Sequence, residues 1–323
     1  MNSICYVVHY FGTLPKTSFR LWLKSCKANP TVNWIIFTDD KTEYDYPDNV
    51  KVYYTTLDEI RERFQSFYDF PIVLDRGWKL CDYKIAYGEI FEKELKGYDF
   101  WGNCDIDLMW GNIRKFYTDE ILEKYDKIGY QAHSTLYKNT PEVNKRYRTV
   151  IDGLDNYKMA FSESEGHAFD EVGIEEIYKK LNIPYYSKVD FAHLAKYETK
   201  FYLATLPKEE DYKNDRQVFT WENGKLLRHY LHNGKIIEEE YMYIHFWCRP
   251  MSYKVKNFSD NAKYLIYSDV VTDKPFKLNE NLIKRKGVSH PVAFYAKSIW
   301  QNRKKLTLKR IIFNIKGSLN RGN

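Results

Sequence analysis

Several things are missing from these 323 residues, and each absence closes off a class of function. No stretch of about 18 apolar residues occurs, so no helix is long and greasy enough to span a bilayer. The five cysteines, at positions 5, 26, 81, 104 and 248, include no C-x-x-C pair. That argues against a zinc cluster or a disulfide framework, and they read as mostly buried, reduced thiols. There is no G-x-x-x-x-G-K phosphate loop, which removes P-loop chemistry. No low-complexity linker or long repeat divides the chain. The first apolar run, Ser3 to Val8, is short and lacks a basic n-region and a small-residue cleavage site, so the chain reads as cytoplasmic.

Acidic residues are absent from Lys284 to Asn323, a segment with 11 Lys and Arg. The 283 residues before it hold 39 basic and 44 acidic residues, so the net charge of +6 joins a mildly acidic body to a strongly basic tail. In the tail Leu308, Ile311, Ile312, Ile315 and Leu319 fall at helical spacing among lysines and arginines, with Phe294, Tyr295 and Trp300 upstream. Residues 292–319 therefore suit an interfacial helix on an anionic membrane. A helix packed on the body is the alternative. A nucleic-acid arm is disfavoured, because the tail has no recognition motif and the body is acidic.

What is present alternates strand and helix signals. Ile4 to His9 and Trp34 to Thr38 are continuous apolar runs of buried-strand type. Val52 to Tyr54 is a third strand. Ser18 to Ala28 has helical spacing at Phe19, Trp22, Leu23 and Cys26. A charged helix is expected from Leu57 to about Phe64 and a third from about Asp82 to Lys96, on Ile85, Ile90, Phe91 and Leu95, ending at Gly97. Such alternation with short connections predicts an α/β fold with a central mixed, largely parallel sheet. Farther on, Lys127 to Tyr130 reads as a strand and Asp170 to Leu181 as a helix. Asn223-Gly224 and Asn233-Gly234 mark two hairpin turns of a three-stranded meander. The expected organisation is one catalytic domain over 1–283, its nucleotide half ending near 115, its acceptor half covering about 116–283, followed by the basic segment 284–323.

Ligands of open α/β sheets gather beyond the carboxyl ends of strands. Asp105-Ile106-Asp107 falls at such an end, between apolar Tyr98–Trp101 and Leu108–Trp110. Residues two apart in a strand point the same way, so both carboxylates share one side. Paired hard oxygens suit Mg²⁺ or Mn²⁺, which leave positions open for the phosphate oxygens of a nucleotide sugar. A solvated turn is the bland alternative. Ala168-Phe169-Asp170-Glu171 offers a second acidic pair: either helix-start charges, or carboxylates that bind or deprotonate an acceptor hydroxyl. Gln131, His133 and Ser134 are further candidates for sugar contacts.

The order of these pieces resembles a GT-A glycosyltransferase, over roughly residues 3 to 253. The resemblance is carried by the loop Tyr10-Phe11-Gly12 after the first strand and by Lys79-Leu80-Cys81-Asp82-Tyr83-Lys84. The run from Gly97 to Asp107 and the late His245-Phe246-Trp247-Cys248-Arg249-Pro250 complete it. Bacterial capsule and lipopolysaccharide (O-antigen) transferases are the nearest comparison. The resemblance implies a hexosyl transfer from a UDP-sugar to a glycan acceptor of the polyprenyl-diphosphate-linked kind, at the inner face of a membrane. It implies that Asp107 binds the metal, that Asp105 contacts metal or ribose, and that His245 is a third ligand. Lys79, Asp82 and Lys84 would reach the donor's phosphates and sugar, or else form an ordinary charged helix face. Tyr10 and Phe11 would flank the nucleobase above Val8 and His9, or else pack in the core. Arg249 would clamp phosphate. His245, in an apolar run, also reads as a core histidine. The sequence departs from the family's usual H-x-x-G-x-x-K-P-W pattern, lacking its glycine and using Arg for Lys. The carboxylate pair would also serve a metal-dependent nucleotidyltransferase or phosphohydrolase, and a carbohydrate-binding protein without turnover could keep the same fold.

Overall fold

The computed structural model describes residues 1–195 and 201–287 and, beyond them, 296, 299 and 300. The first half builds β1 (Ile4–Tyr10), α1 (Lys16–Lys27), β2 (Val32–Thr38), β3 (Val50–Tyr54), α2 (Leu57–Gln65) and β4 (Phe100–Cys104). β5 (Leu108–Trp110), β6 (Lys127–Ile128) and β7 (Ser134–Lys138) follow. β1, β2, β3 and β4 pair parallel, while β7 joins β4 and β6 joins β7 antiparallel, in the order β3-β2-β1-β4-β7-β6. The molecule is thus mixed α/β.

Both faces of this sheet are buried, which is why β1 and β2 read as unbroken apolar runs. On one face Cys5, Val7, Ile35 and Phe37 pack against Ile60 and Phe64 of α2. On the other, Ile4, Tyr6, Val8 and Ile36 pack against Phe19, Trp22, Leu23 and Cys26 of α1. The expected α1 face is therefore the buried one. α2 starts with a reciprocal cap between Thr56 and Glu59.

The helix expected from Asp82 to Lys96 is not continuous. Helical turns cover Leu80–Tyr83 and Tyr87–Ile90, with 3₁₀ turns at Gly77–Lys79 and Lys84–Ala86, and turn structure runs on to Gly97. Inward contacts override local preference here. Lys84 turns its ammonium into the molecule, and a Cβ on Gly88 would lie 2.3 Å from the Trp101 ring. The apolar positions Ile85, Ile90, Phe91 and Leu95 are nonetheless all core.

The second half carries β8 (Ala192–His193), β9 (Gln217–Glu222), β10 (Lys225–His232), β11 (Lys235–Tyr241) and β12 (Tyr243–His245). β13 (Ser252–Lys254), β14 (Lys263–Tyr267) and β15 (Val270–Thr272) complete it. The meander forms as expected: β9, β10 and β11 are antiparallel neighbours. Asn223-Gly224 and Asn233-Gly234 each supply two successive positive φ angles, the I′ turn chemistry. A third, three-stranded sheet, β5-β12-β8, lies beside the end of β4. No helix of the described residues is long and apolar enough to cross a membrane. The membrane-surface segment expected at 292–319 lies outside the described residues except for 296, 299 and 300.

Candidate functional site

β1 and β4 end side by side, and the chain leaves β4 through Asp105-Ile106-Asp107 before turning into β5. The third sheet then decides what faces those carboxylates. β12 runs antiparallel to β5 with His245 opposite Leu108, and the Phe246 N–H donates to the Asp107 carbonyl at 2.9 Å. This register brings His245 Nε2 to 3.2 Å from Asp107 Oδ1 and 3.8 Å from Asp105 Oδ2. One ligand atom from each of Asp105, Asp107 and His245 falls within a 4.8 Å span, as in a metal-binding group. The residues are 138 or more positions apart in the chain at the His245 link, so only the fold assembles them.

Each carboxylate is fixed by its surroundings. Asp105 takes the ammonium of Lys84 on Oδ1 at 2.8 Å, and its backbone carbonyl accepts from the Trp22 indole at 3.2 Å. Asp107 Oδ2 accepts the Cys248 N–H at 2.9 Å. Burial works against charge on Asp107, but His245 and the Cys248 N–H outweigh it and hold this carboxyl well below the ordinary range. Asp170 is the opposite case. Burial pushes its carboxyl up to about 7, with Lys84, whose Nζ lies 3.5 Å away, pulling the other way. Burial also lowers the imidazoles of His133 and His193, the latter to about 4, with His245 adding to both shifts.

These groups line a cleft of about 700 Å³. Tyr10, Asp82, Lys84, Asp105, Asp107, Asp170, Glu171 and His245 all contribute to it, so the structure gathers most of the residues singled out from sequence. The β1 end supplies Val8 and His9. The His9 ring nitrogens have no hydrogen-bond partner, the ring stacks on Phe37, and burial lowers its basicity.

Three expected ligands are engaged by the protein itself. Lys79 is fully buried, and its ammonium is consumed by Asp82 and the carbonyls of Ala160 and Glu165. Asp82, although at the cleft wall, spends its oxygens on Lys79 and the backbone N–H groups of His167 and Phe169. This pair ties down the 160–169 loop rather than reaching a phosphate. Arg249 is buried, donating to the carbonyls of Ser268 and Ala195, so its guanidinium is turned to backbone. Phe11 packs against the core cluster beneath the sheet and is not a cleft residue. Of the three residues after β6, His133 reaches the cleft. Gln131 serves the His133 ring, and Ser134 is buried against Tyr6.

Sequence reasoning missed His193, Trp78, Trp247 and Cys248. Trp78 and Trp247 are 60% and 41% exposed at the cleft rim, unusual for so large an apolar side chain. Gly166 lies against Trp78 so closely that a Cβ there would sit 2.3 Å from the ring. Both rings are therefore held, Trp247 by a 4.7 Å contact with the His193 ring. Nothing in the one-dimensional pattern distinguishes these two from the other six tryptophans. Cys248 is exposed, the exception to the mostly buried thiols expected.

Trp247 and Cys248 are successive left-handed residues, at φ +45° and +52°. This turn is what aims the Cys248 N–H at Asp107. Cys248 stands three residues after His245, where the H-x-x-G pattern has its glycine, and it takes up a left-handed backbone without being one. Left-handed backbone costs a non-glycine residue roughly 1 kcal/mol, partly offset by glycine's greater freedom when unfolded. Cys248→Gly is therefore expected to raise unfolding stability by about 0.5 kcal/mol. Metal affinity should stay within about threefold, because the backbone donor to Asp107 is kept and the thiol that also bonds this carboxylate is a weak donor. Urea unfolding and a Mn²⁺ titration check both, and a large loss of affinity would mean the thiol itself takes part.

Comparison with known proteins adds little to this geometry. No curated protein matches the chain. Among solved structures, mouse xyloside xylosyltransferase 1 in its apo form is similar at 9% identity and a TM-score of 0.39, over 60% of this chain and 89% of that one. So loose an overlap transfers no residue role. Residues 6–275 match a family of unknown function (DUF6625), and the chain belongs to that family.

Proposed function

We propose that this chain is a metal-dependent glycosyltransferase of GT-A type, moving a hexosyl group from a UDP-sugar to a glycan acceptor. The observation that carries the reading is the convergence of Asp105, Asp107 and His245 at the ends of parallel strands, within one cleft. The donor set fits a divalent cation of the Mn²⁺ or Mg²⁺ type: two carboxylates, one of them held firmly ionised, and one imidazole. Asp107 and His245 would hold the ion, and Asp105 would divide its carboxylate oxygens between the ion and the Lys84 ammonium. When bound, the metal supplies positive charge to a departing diphosphate.

The protein's own groups divide the remaining work. The β1 end, with Val8, His9 and Tyr10, offers the nucleoside a flat, largely apolar surface. The ammonium of Lys84 stands between the metal group and Asp170, where it can balance negative charge on donor and protein alike. Asp170 and Glu171, with the Trp78 ring that lines the same cleft, suit an acceptor sugar, since aromatic rings stack on the apolar faces of pyranoses. A lipid-linked acceptor, met at an anionic membrane through residues 292–319, is the matching proposal for the basic tail.

The test is a panel of UDP-sugars incubated with Mn²⁺, with and without EDTA. Metal-dependent release of UDP and free sugar from one member is expected. Release of UMP and sugar phosphate instead would identify a phosphohydrolase, and binding without turnover of any member would leave a carbohydrate-binding protein.

A further inference from the structure

His245 has two ring nitrogens, and the fold has committed both. Nε2 faces the carboxylates of Asp107 and Asp105, while Nδ1 lies 3.0 Å from Nδ1 of His193. That second contact is built into the backbone. β8 and β12 run parallel with His193 and His245 as Cα partners, and the Leu194 N–H donates to the His245 carbonyl at 3.0 Å. Residues paired in adjacent strands point to the same face, so the two imidazoles must meet. Both are buried, and the Trp247 and His133 rings pack against that of His193 at 4.7 and 5.3 Å.

A neutral imidazole carries one proton. For Nε2 of His245 to offer its lone pair to a cation, that proton must sit on Nδ1, and a buried N–H needs an acceptor. Leaving it without one carries the full desolvation penalty of a buried polar group. The acceptor within reach is His193 Nδ1, which must then be unprotonated, with the His193 proton on Nε2. Without such a partner His245 would gain by protonating Nε2 toward Asp107, which is the tautomer that cannot bind a metal.

We propose that His193 is a positioning residue that fixes the metal-binding tautomer and orientation of His245 by accepting its Nδ1–H. The proposal rests on the metal reading above and assigns a role to a residue with no contact to Asp105 or Asp107 among its hydrogen bonds. His133, His193 and His245 also form a metal-type group of their own, with ligand atoms within 4.8 Å. His245 cannot give the same nitrogen to both groups. His133 is already engaged, its Nδ1 2.8 Å from the Tyr243 hydroxyl and its Nε2 2.9 Å from Gln131 Oε1.

The experiment compares His193→Leu with His193→Asn. Leucine fills the space without an acceptor, whereas the asparagine Oδ1 stands at the same bond separation from Cα as the lost Nδ1. Mn²⁺ affinity, read by electron paramagnetic resonance of the free ion, is expected to fall about 10–100-fold in His193→Leu. It should stay within about threefold of the parent in His193→Asn, because the amide oxygen accepts the same proton. Thermal unfolding in EDTA should be similar for the two variants, which separates tautomer control from a merely structural role. Equal affinity in parent and both variants would overturn the positioning role and leave the metal site standing. Equal loss in both would overturn it in favour of direct ligation by the His193 ring. A parent chain that binds no Mn²⁺ would overturn the metal reading itself.

Discussion

Asp107→Ala is expected to weaken Mn²⁺-dependent UDP binding at least about 100-fold, equivalent to ~2.7 kcal/mol, and to leave transfer undetectable. Three contributions vanish together. Asp107 offers a ligand oxygen 3.2 Å from His245 Nε2, accepts the Cys248 N–H that orders the left-handed turn, and is held ionised by those same neighbours. The fold should tolerate the change, because the side chain is 32% exposed. Asp107→Asn is the sharper comparison. The amide oxygen can still accept from Cys248, so the turn survives, but the negative charge is gone. Loss of metal-dependent binding in both variants, with unchanged far-ultraviolet circular dichroism, supports direct ligation. If Asp107→Ala binds UDP–Mn²⁺ as tightly as the parent, the ion does not sit on this carboxylate.

How much of this was legible follows from which properties are local. The α/β frame could be read because β1 and β2 are buried on both faces and so appear as unbroken apolar runs. The meander was legible because Asn-Gly turns report backbone angles directly. The helix expected over 82–96 failed for an instructive reason. Spacing at Ile85, Ile90, Phe91 and Leu95 reports burial correctly, but burial is compatible with several short turns. Lys79 and Arg249 were misplaced because residue type suggests what a charge could bind and says nothing about where it is buried. Their partners include backbone carbonyls and, for Lys79, one carboxylate, which leave no trace in a motif. Asp105 and Asp107 were found because two apolar flanks and a strand end are local features. His193 could not be found, since its meaning depends on the parallel register between β8 and β12, 52 residues apart.

Lys84→Met should have the largest effect on stability, roughly 3–5 kcal/mol, by removing one partner of a buried charge cluster. The ammonium donates to Asp105 Oδ1 at 2.8 Å and to the Ala132 carbonyl at 3.2 Å, and stands 3.5 Å from Asp170 Oδ2. Those carboxylates outweigh the burial that disfavours its charge, so its proton is held more tightly than in an ordinary lysine. The loss should depend on pH, and the sign follows from Asp170. Its folded-state carboxyl titrates near 7, above the ordinary value near 3.8, because burial prevails over Lys84, with Glu171, Asp105 and Asp82 adding repulsion. A raised carboxyl favours the folded state while it is protonated. That contribution is complete below about pH 4 and disappears as pH rises through about 7. At pH 5 Asp170 is protonated with or without Lys84, so the variant loses mainly the Asp105 pair. At pH 8 the parent holds an Asp170 anion against its lysine, while the variant must bury that anion alone or keep it protonated. Urea unfolding in EDTA should therefore show a larger deficit at pH 8 than at pH 5. Asp170→Asn in the Lys84→Met background should recover most of the difference, because the amide has no charge to bury. A deficit equal at both pH values, with no recovery in the double variant, would mean that Lys84 supports Asp105 and the Ala132 loop and does nothing for Asp170. The acidic wall of the cleft would then hold itself together without the shared cation.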